Sequence, residues 1–146
     1  MRLILVGLDG SPRAPAVLDA ARDLAGRTGA RLALFRAVSL PVGLPPEAYS
    51  VSPDGLQQLL LKQARREVEL LARGLPDGML AEIRVDLGSP WRSICEAARE
   101  AGADLILIGS HGYSGIDHLL GTTAAKVVNH ARRSVLVVWT AEHGLD

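Results

Sequence analysis

Short apolar runs alternate with longer segments of helical period along the whole chain, and this order constrains the fold more than any other feature. The runs at 3–7 and 105–108 are continuously apolar, which is typical of parallel strands covered on both faces. Strands separated by helices pair in parallel, because each helical crossover returns the chain to the same end of the sheet. The pattern therefore predicts a single-domain α/β fold, with an open parallel sheet of five strands and helices on both faces.

Element boundaries follow from glycine, proline and capping residues. Ser11 and Pro12 form a good N-cap and first-turn pair for the first helix, and Ser89 and Gly102 are placed to begin and end the third. The predicted strands span residues 3–7, 31–38, 80–87, 105–108 and 135–138, and the predicted helices span residues 12–25, 56–75, 90–101 and 123–131. A long loop rich in proline and glycine, at 41–55, is predicted before the second helix.

Composition excludes several classes of partner. The chain has 146 residues, of which 16 are basic and 16 acidic, so its formal net charge is zero and gives no bulk attraction to nucleic acid or anionic membranes. Aromatic residues make up 3% of the chain, which leaves few stacking platforms for single-stranded nucleic acid. No apolar run approaches the roughly 18 residues of a membrane span. We predict neither a nucleic-acid partner nor a membrane partner.

The N-terminal run and the single cysteine bear on cellular location. The apolar run at 3–7 is followed at once by Asp9 and Gly10, so we interpret it as a strand and not as the core of a signal peptide. Cys95 is the only cysteine, which excludes an internal disulfide and a cysteine zinc site, and its helical surroundings favour a buried structural thiol. We expect a cytoplasmic protein.

The segment at 109–123, with the sequence GSHGYSGIDHLLGTT, is the richest candidate site. It holds four glycines and five hydroxyl side chains after the fourth strand, where open parallel sheets bind ligands. Small residues let backbone N–H groups approach an anion, and the following helix adds the positive end of its dipole. Neither GxxxxGK[ST] nor GxGxxG after a strand is present, so this is not a P-loop ATPase. An ordinary connection without a ligand is the alternative.

Several separated segments together resemble the universal stress protein family over essentially the whole chain. They are ILVGLDGSP near the start, LILIGSHG at the fourth strand and LLGTTAAKVVNHARRSVLVV toward the end. Nucleotide-binding members carry Gly, two residues, Gly, nine residues, and Gly with Ser or Thr, and here Gly109, Gly112, Gly121 and Thr122 fill that pattern. Only eight residues separate Gly112 from Gly121. A helix shortened by one residue turns by about 100°, and we expect the segment at 114–117 to absorb the change.

The resemblance implies a Rossmann-like fold of the adenine nucleotide alpha hydrolase-like type, with strand order 3-2-1-4-5 and ATP as the ligand. It leaves open whether Mg²⁺ accompanies the phosphates. It also implies that Asp9 faces the adenosine and that Ala37 offers its backbone to the adenine. The other implied contacts are Gly7, Leu8, Ile108, Gly109, Ser110, His111, Gly112, Gly121, Thr122 and Thr123.

Single residues leave alternatives open. Asp9 could instead brace Ser11 and the turn at Gly10 as a helix-capping acid, or serve as the phosphoacceptor of a receiver-like fold. His111 could act as an acid or base, although a loop residue that uses only its backbone is favoured. His118 and His130 lack partners at metal-ligand spacing, so we predict no metal site and assign no catalytic residue.

The terminal apolar strand, which begins with Val135 and ends with Val138, is expected at the edge of the sheet, where an exposed apolar strand is an association hazard. The resemblance implies that this strand pairs with a second copy, so we predict a homodimer. The predicted function is ATP binding with a regulatory role in stress response and weak hydrolysis at most. The alternatives are a nucleotide-free dimeric interaction module and a slow ATPase or adenylyl-transfer enzyme that uses His111 or Asp9.

Overall fold

A computed structural model describes residues 1–40, 53–110 and 120–140 of the chain. Most of the predicted loop at 41–55 and much of the segment at 109–123 lie outside these described residues. The elements in chain order are β1 (Leu3–Leu8), α1 (Ala14–Thr28), β2 (Arg31–Val38), α2 (Pro53–Ala72), β3 (Leu80–Leu87), α3 (Pro90–Ala101), β4 (Leu105–Gly109), α4 (Thr122–His130) and β5 (Ser134–Val138).

The strands form one parallel sheet in the order β3-β2-β1-β4-β5, which confirms the predicted fold and strand order. β1 lies at the centre and pairs with β2 from Leu3 opposite Arg31 to Leu8 opposite Arg36. On its other side Ile4 pairs with Leu105 of β4. All the strands therefore end at the same edge of the sheet, and the loops that follow them meet there.

Alternate residues of the central strands enter two separate cores. Ile4 and Val6 face α1 and α2 on one side, while Leu5 and Ile106 face α3 and α4 on the other. These four side chains are 2% exposed or less. Burying each such side chain contributes roughly 1.5–3 kcal/mol, so the continuous apolar runs of the sequence are explained by helices on both faces.

Helix α1 starts later than predicted, since its N-cap is Arg13 and not Ser11. The Ser11 hydroxyl accepts a hydrogen bond from the Arg13 N–H at 3.2 Å, and the Asp9 carboxylate accepts one from the Ser11 N–H at 3.0 Å. These bonds build a local turn that competes with helical hydrogen bonding, so the helix begins only at Ala14. At its other end the helix runs through Gly26 and stops at Gly29, whose φ of 76° suits glycine.

Helix α2 is displaced toward the N-terminus relative to the predicted span of 56–75. It begins at Pro53, because proline lacks the N–H group that the first turn of a helix leaves unpaired. It ends at Ala72, since Gly74 favours other conformations and Pro76 disfavours the helical conformation in the residue before it. The other boundaries differ from the predicted ones by one residue or none.

Asp104 fastens the start of the central strand to the loop before β4. Its carboxylate accepts hydrogen bonds from the backbone N–H groups of Arg2 at 2.7 Å and Leu3 at 2.9 Å. Both bonds favour the ionised form, and the one from Leu3 contributes most to holding the pKa of Asp104 below its ordinary value. The stabilisation from this carboxylate is therefore present above the pKa that it has in the unfolded chain, and it is lost as the pH falls through the lower folded pKa.

We predict that Asp104→Asn lowers the free energy of unfolding at pH 7 and makes stability less dependent on pH in the acid range. The amide retains one acceptor oxygen but carries no charge to favour the two donors. Urea unfolding followed by circular dichroism at several pH values between 3 and 7 measures both effects. Asp77→Asn, in the exposed turn before β3, is the control. Equal acid dependence in the two variants would contradict the role given to Asp104.

Candidate functional site

A cavity of about 730 Å³ opens at the carboxyl ends of β1, β2 and β4, where the first turns of α1, α3 and α4 also meet. This volume lies within the ~300–1,000 Å³ range of small-molecule sites. The described residues that line the cavity are Gly7, Leu8, Asp9, Gly10, Ser11, Pro12, Arg13, Ala14, Val17, Arg36, Ala37, Val38, Ser39, Pro90, Ile94, Ile108, Gly109, Thr123, Ala124 and Thr140. The location agrees with the general position of ligands in open parallel sheets.

Glycine is needed in the floor of the cavity because neighbouring elements approach closely there. A methyl group on Gly7 would lie 2.9 Å from Ile108 Cγ2 and 3.2 Å from Ile94 Cδ1. A methyl group on Gly109 would lie 3.1 Å from Val17 Cγ2. A side chain at either position would require its neighbours to shift, so these glycines keep the floor both compact and open to a ligand.

Asp9 lies on the rim and organises the turn between β1 and α1. One of its carboxylate oxygens accepts the Ser11 N–H at 3.0 Å, as one of the alternatives for this residue anticipated. The residue is exposed and lines the cavity. Bracing of the turn leaves the second carboxylate oxygen facing a different partner, so it is compatible with contact to a ligand hydroxyl.

Arg36 is a cavity residue that our sequence analysis missed. Its side chain is only 18% exposed and forms a salt bridge with Glu67 of α2. A methyl group on Gly10 would lie 2.7 Å from Arg36 Nη2, so the guanidinium passes directly beside that glycine. The available signal was a single arginine within an otherwise apolar strand, because such a charge is kept in a buried strand only with a partner.

The walls of the cavity differ in chemistry from its rim. Val38, Pro90 and Ile94 supply apolar surface beyond the ends of β2 and β3. Arg13 and Arg36 supply positive charge on the side of α1 and α2, and Thr123 adds a hydroxyl at the start of α4. An apolar surface bordered by cations and hydroxyls suits a ligand with a flat ring at one end and negative charge at the other.

Ser110 has a different role from the phosphate contact that the sequence suggested. It is fully buried, its N–H donates to Val138 O at 2.8 Å, and its hydroxyl accepts from the Thr140 N–H at 3.0 Å. Its carbonyl accepts the Gly121 N–H at 2.7 Å. Ser110 thus ties the end of β4 to β5 and to the start of α4, and the Gly121 amide is engaged in the same connection.

The first turn of α4 supplies a positive helix end at the cavity. Gly121 is the N-cap without a side-chain cap, and Thr123 and Ala124 line the cavity. N–H groups of a first helical turn have no partner within the helix, and the helix dipole favours negative charge beside them. Thr122 is exposed and does not belong to the described lining of the cavity.

The structure brings most of the predicted contact residues to one place. Those that line the cavity are Gly7, Leu8, Asp9, Ala37, Ile108, Gly109 and Thr123. Ser110, Gly121 and Thr122 are described but stand behind or beside it, and His111 and Gly112 lie outside the described residues. No member of this set was predicted in a distant part of the sheet.

Metal and membrane features were searched over the same described ranges. Residues 1–40, 53–110 and 120–140 contain no group of three or more histidine, cysteine, aspartate or glutamate side chains that could hold a metal ion. Within those ranges no helix is both long enough and apolar enough to cross a bilayer. Cys95 is free and only partly buried, and burial raises the pKa of its thiol.

Doubly wound topology and a cavity at the carboxyl edge define a Rossmann-like α/β protein. The universal stress protein family matches residues 1–138, and the chain belongs to this family. It is 33% identical over 137 residues to universal stress protein A homolog 2 of Coxiella burnetii, which covers 93% of this chain and 92% of that protein.

Solved structures agree with this assignment. The universal stress protein UspA from Lactobacillus plantarum has a TM-score of 0.73 and 25% identity, and the match covers 94% of this chain and 97% of that one. A universal stress protein crystallised in complex with cAMP has a TM-score of 0.63 and 28% identity, with 96% of this chain and 98% of that one covered. The family thus includes at least one structural relative with an adenine nucleotide bound.

Proposed function

We propose that the cavity binds ATP and that the protein is a cytoplasmic, nucleotide-responsive regulator in the stress response. The observation that carries the proposal is the cavity of about 730 Å³ at the carboxyl edge, bordered by the first turn of α4. The relative in complex with cAMP supports an adenine nucleotide as the class of ligand. ATP is favoured over a monophosphate because the glycine and threonine pattern after β4 offers several donors to a longer phosphate chain.

The two ends of the cavity suit the two ends of ATP. Ala37 and Val38, at the end of β2, provide backbone groups and apolar surface for the adenine. Thr123 and the first turn of α4 provide a hydroxyl, N–H groups and a positive dipole for the phosphates. Arg13 and Arg36 add positive charge along the rim, which offsets the charge of the triphosphate.

Binding is favoured over hydrolysis by the groups that line the cavity. Among its described residues the lining contains one carboxylate, Asp9, and neither histidine nor lysine. One Asp9 oxygen already accepts the Ser11 N–H, which makes this carboxylate a weak base for activating water. With a single carboxylate at hand, a Mg²⁺ ion would be held mainly by the phosphates and water. We therefore propose weak hydrolysis at most.

The cytoplasmic location rests on the use that the fold makes of the N-terminal apolar run. Residues Leu3–Leu8 form β1, the central strand of the sheet. Ile4 and Val6 are fully buried in that strand. This run is therefore part of the folded core, and the expectation that it is a strand is confirmed.

We predict that Thr123→Glu weakens ATP binding about tenfold or more, while Thr122→Glu has a much smaller effect. Both substitutions place a carboxylate at the positive end of α4, where it favours the helix equally. Only position 123 lines the cavity, so only there does the added charge repel the phosphates at short range. Isothermal titration calorimetry with ATP measures the three dissociation constants.

Thermal unfolding of the two variants serves as the control for folding, and both are expected to unfold within a few degrees of the parent protein. The proposal fails if the parent protein gives no saturable heat of ATP binding. It also fails if both variants bind ATP as tightly as the parent protein, or if both are weakened to the same extent.

The exposed edge of β5 supports a homodimer through this strand. β5 pairs with β4 on one side and ends the sheet on the other. Leu136 in this strand is 42% exposed and Trp139 just after it is 53% exposed. A second copy that paired along the same edge would cover this apolar surface and satisfy the open backbone groups.

We predict that Leu136→Lys shifts the protein to the monomer, whereas Leu59→Lys does not. Both leucines are exposed, at 42% and 60%, but Leu59 lies on α2, away from the sheet edge. A lysine on an edge strand opposes strand pairing, because its charge would have to be buried in the interface. Sedimentation equilibrium measures the molar mass of each variant. A monomeric parent protein, or a dimer that persists in Leu136→Lys, would contradict the proposed interface.

A further inference from the structure

A second groove lies on the outer surface where α3 passes the end of α4. Its volume is about 370 Å³, and its lining includes Trp91, Cys95, Glu96 and His130. It shares no described lining residue with the cavity at the carboxyl edge of the sheet. The proposed nucleotide site therefore does not explain it.

The groove concentrates positive charge in a chain whose formal net charge is zero. Arg92, Arg99, Arg132 and Arg133 line it against the single carboxylate of Glu96, so arginines exceed acids by three among its described lining residues. A hydrogen bond from Arg99 lowers the pKa of Glu96, which keeps this carboxylate ionised and leaves the count unchanged at neutral pH. Burial raises the pKa of the Cys95 thiol, so that group adds no negative charge.

Arg133 is anchored in the wall of the groove with unused hydrogen-bonding capacity. Its Nη1 donates to Ala98 O at 3.0 Å and to Ala103 O at 2.6 Å. Its Nε is buried and has no hydrogen-bond partner among the described residues. Buried N–H groups are nearly always paired, so an acceptor that enters the groove beside Arg133 would remove an unfavourable feature of the fold.

Arg132 holds an unusual backbone conformation at the mouth of the groove. Its φ is 53°, and it is the only non-glycine residue with a positive φ among those that the structure describes. Glycine or asparagine adopts this conformation at lower cost, so the arginine is not explained by the turn itself. Strained positions of this kind concentrate at functional sites.

An aromatic pair holds further cations at the rim. The rings of Trp91 and His130 lie 4.6 Å apart, Arg92 Cζ lies 5.1 Å from the Trp91 ring centre, and Lys126 Nζ lies 5.9 Å from it. Contacts of this length between a cation and an aromatic ring are attractive. They fix two positive side chains beside the groove without neutralising their charge.

We propose that this groove binds a small phosphate-bearing anion. Guanidinium groups present forked donors that match the oxygens of a phosphate group, and a surplus of three charges suits a ligand of charge −2 or more. The enclosed volume limits the ligand to roughly the size of a sugar phosphate or a nucleoside monophosphate. The site is independent of ATP binding in the larger cavity.

The test uses inorganic pyrophosphate as the probe, at constant ionic strength, with the side-chain N–H signals of the two tryptophans followed by ¹H–¹⁵N NMR. Trp139→Phe identifies which signal belongs to Trp91. The Trp91 signal is expected to move saturably. In Arg132→Asn the dissociation constant should rise about tenfold, since a charged donor is lost while asparagine tolerates the positive φ.

Arg73→Asn removes the same charge from an exposed position after α2 and is the matched control, expected to titrate like the parent protein. Thr123→Glu separates the groove from the larger cavity and should leave the Trp91 titration unchanged. The proposal is overturned if the Trp91 signal does not saturate, if Arg132→Asn and Arg73→Asn behave alike, or if Thr123→Glu abolishes the shift.

Discussion

Parallel pairing of β1 with both β2 and β4 is the constraint on which the rest of the structure depends. It places the carboxyl ends of three neighbouring strands at one edge and brings three helix starts to the same place. The close approach of Gly7 to Ile108 and Ile94 then sets the depth of the cavity floor. Ser110 completes the arrangement, because its buried hydrogen bonds attach the start of α4 to β4 and β5. A ligand at this edge would contact the elements that define the sheet.

The fold could be predicted from the sequence because its signals are regular and local. Continuous apolar runs such as the one around Ile106 require cover on both faces, and Gly29 and Gly102 end their helices through backbone conformations that suit glycine. The start of α1 was predicted wrongly at Ser11, because the bond from Asp9 to the Ser11 N–H builds a competing turn. That bond depends on geometry that helix propensities do not contain.

The candidate site was only partly predictable for a related reason. Residues next to strand ends, such as Asp9 and Ile108, can be placed once the sheet is known. Arg36 could not, because its position in the cavity wall depends on Glu67 of α2, which lies 31 residues away. The groove at Trp91 was missed because its arginines come from two helices and a turn, and the conformation of Arg132 has no sequence signature. Membership in the universal stress protein family gives the larger cavity its context and leaves the groove unexplained.

The central claim is that the carboxyl edge of the sheet is an ATP site, and backbone amide NMR during an ATP titration tests it most directly. The account predicts saturable shifts that concentrate at the ends of β1, β2 and β4 and in the first turn of α4. Shifts confined to other surfaces, or an unchanged spectrum at millimolar ATP, would contradict it.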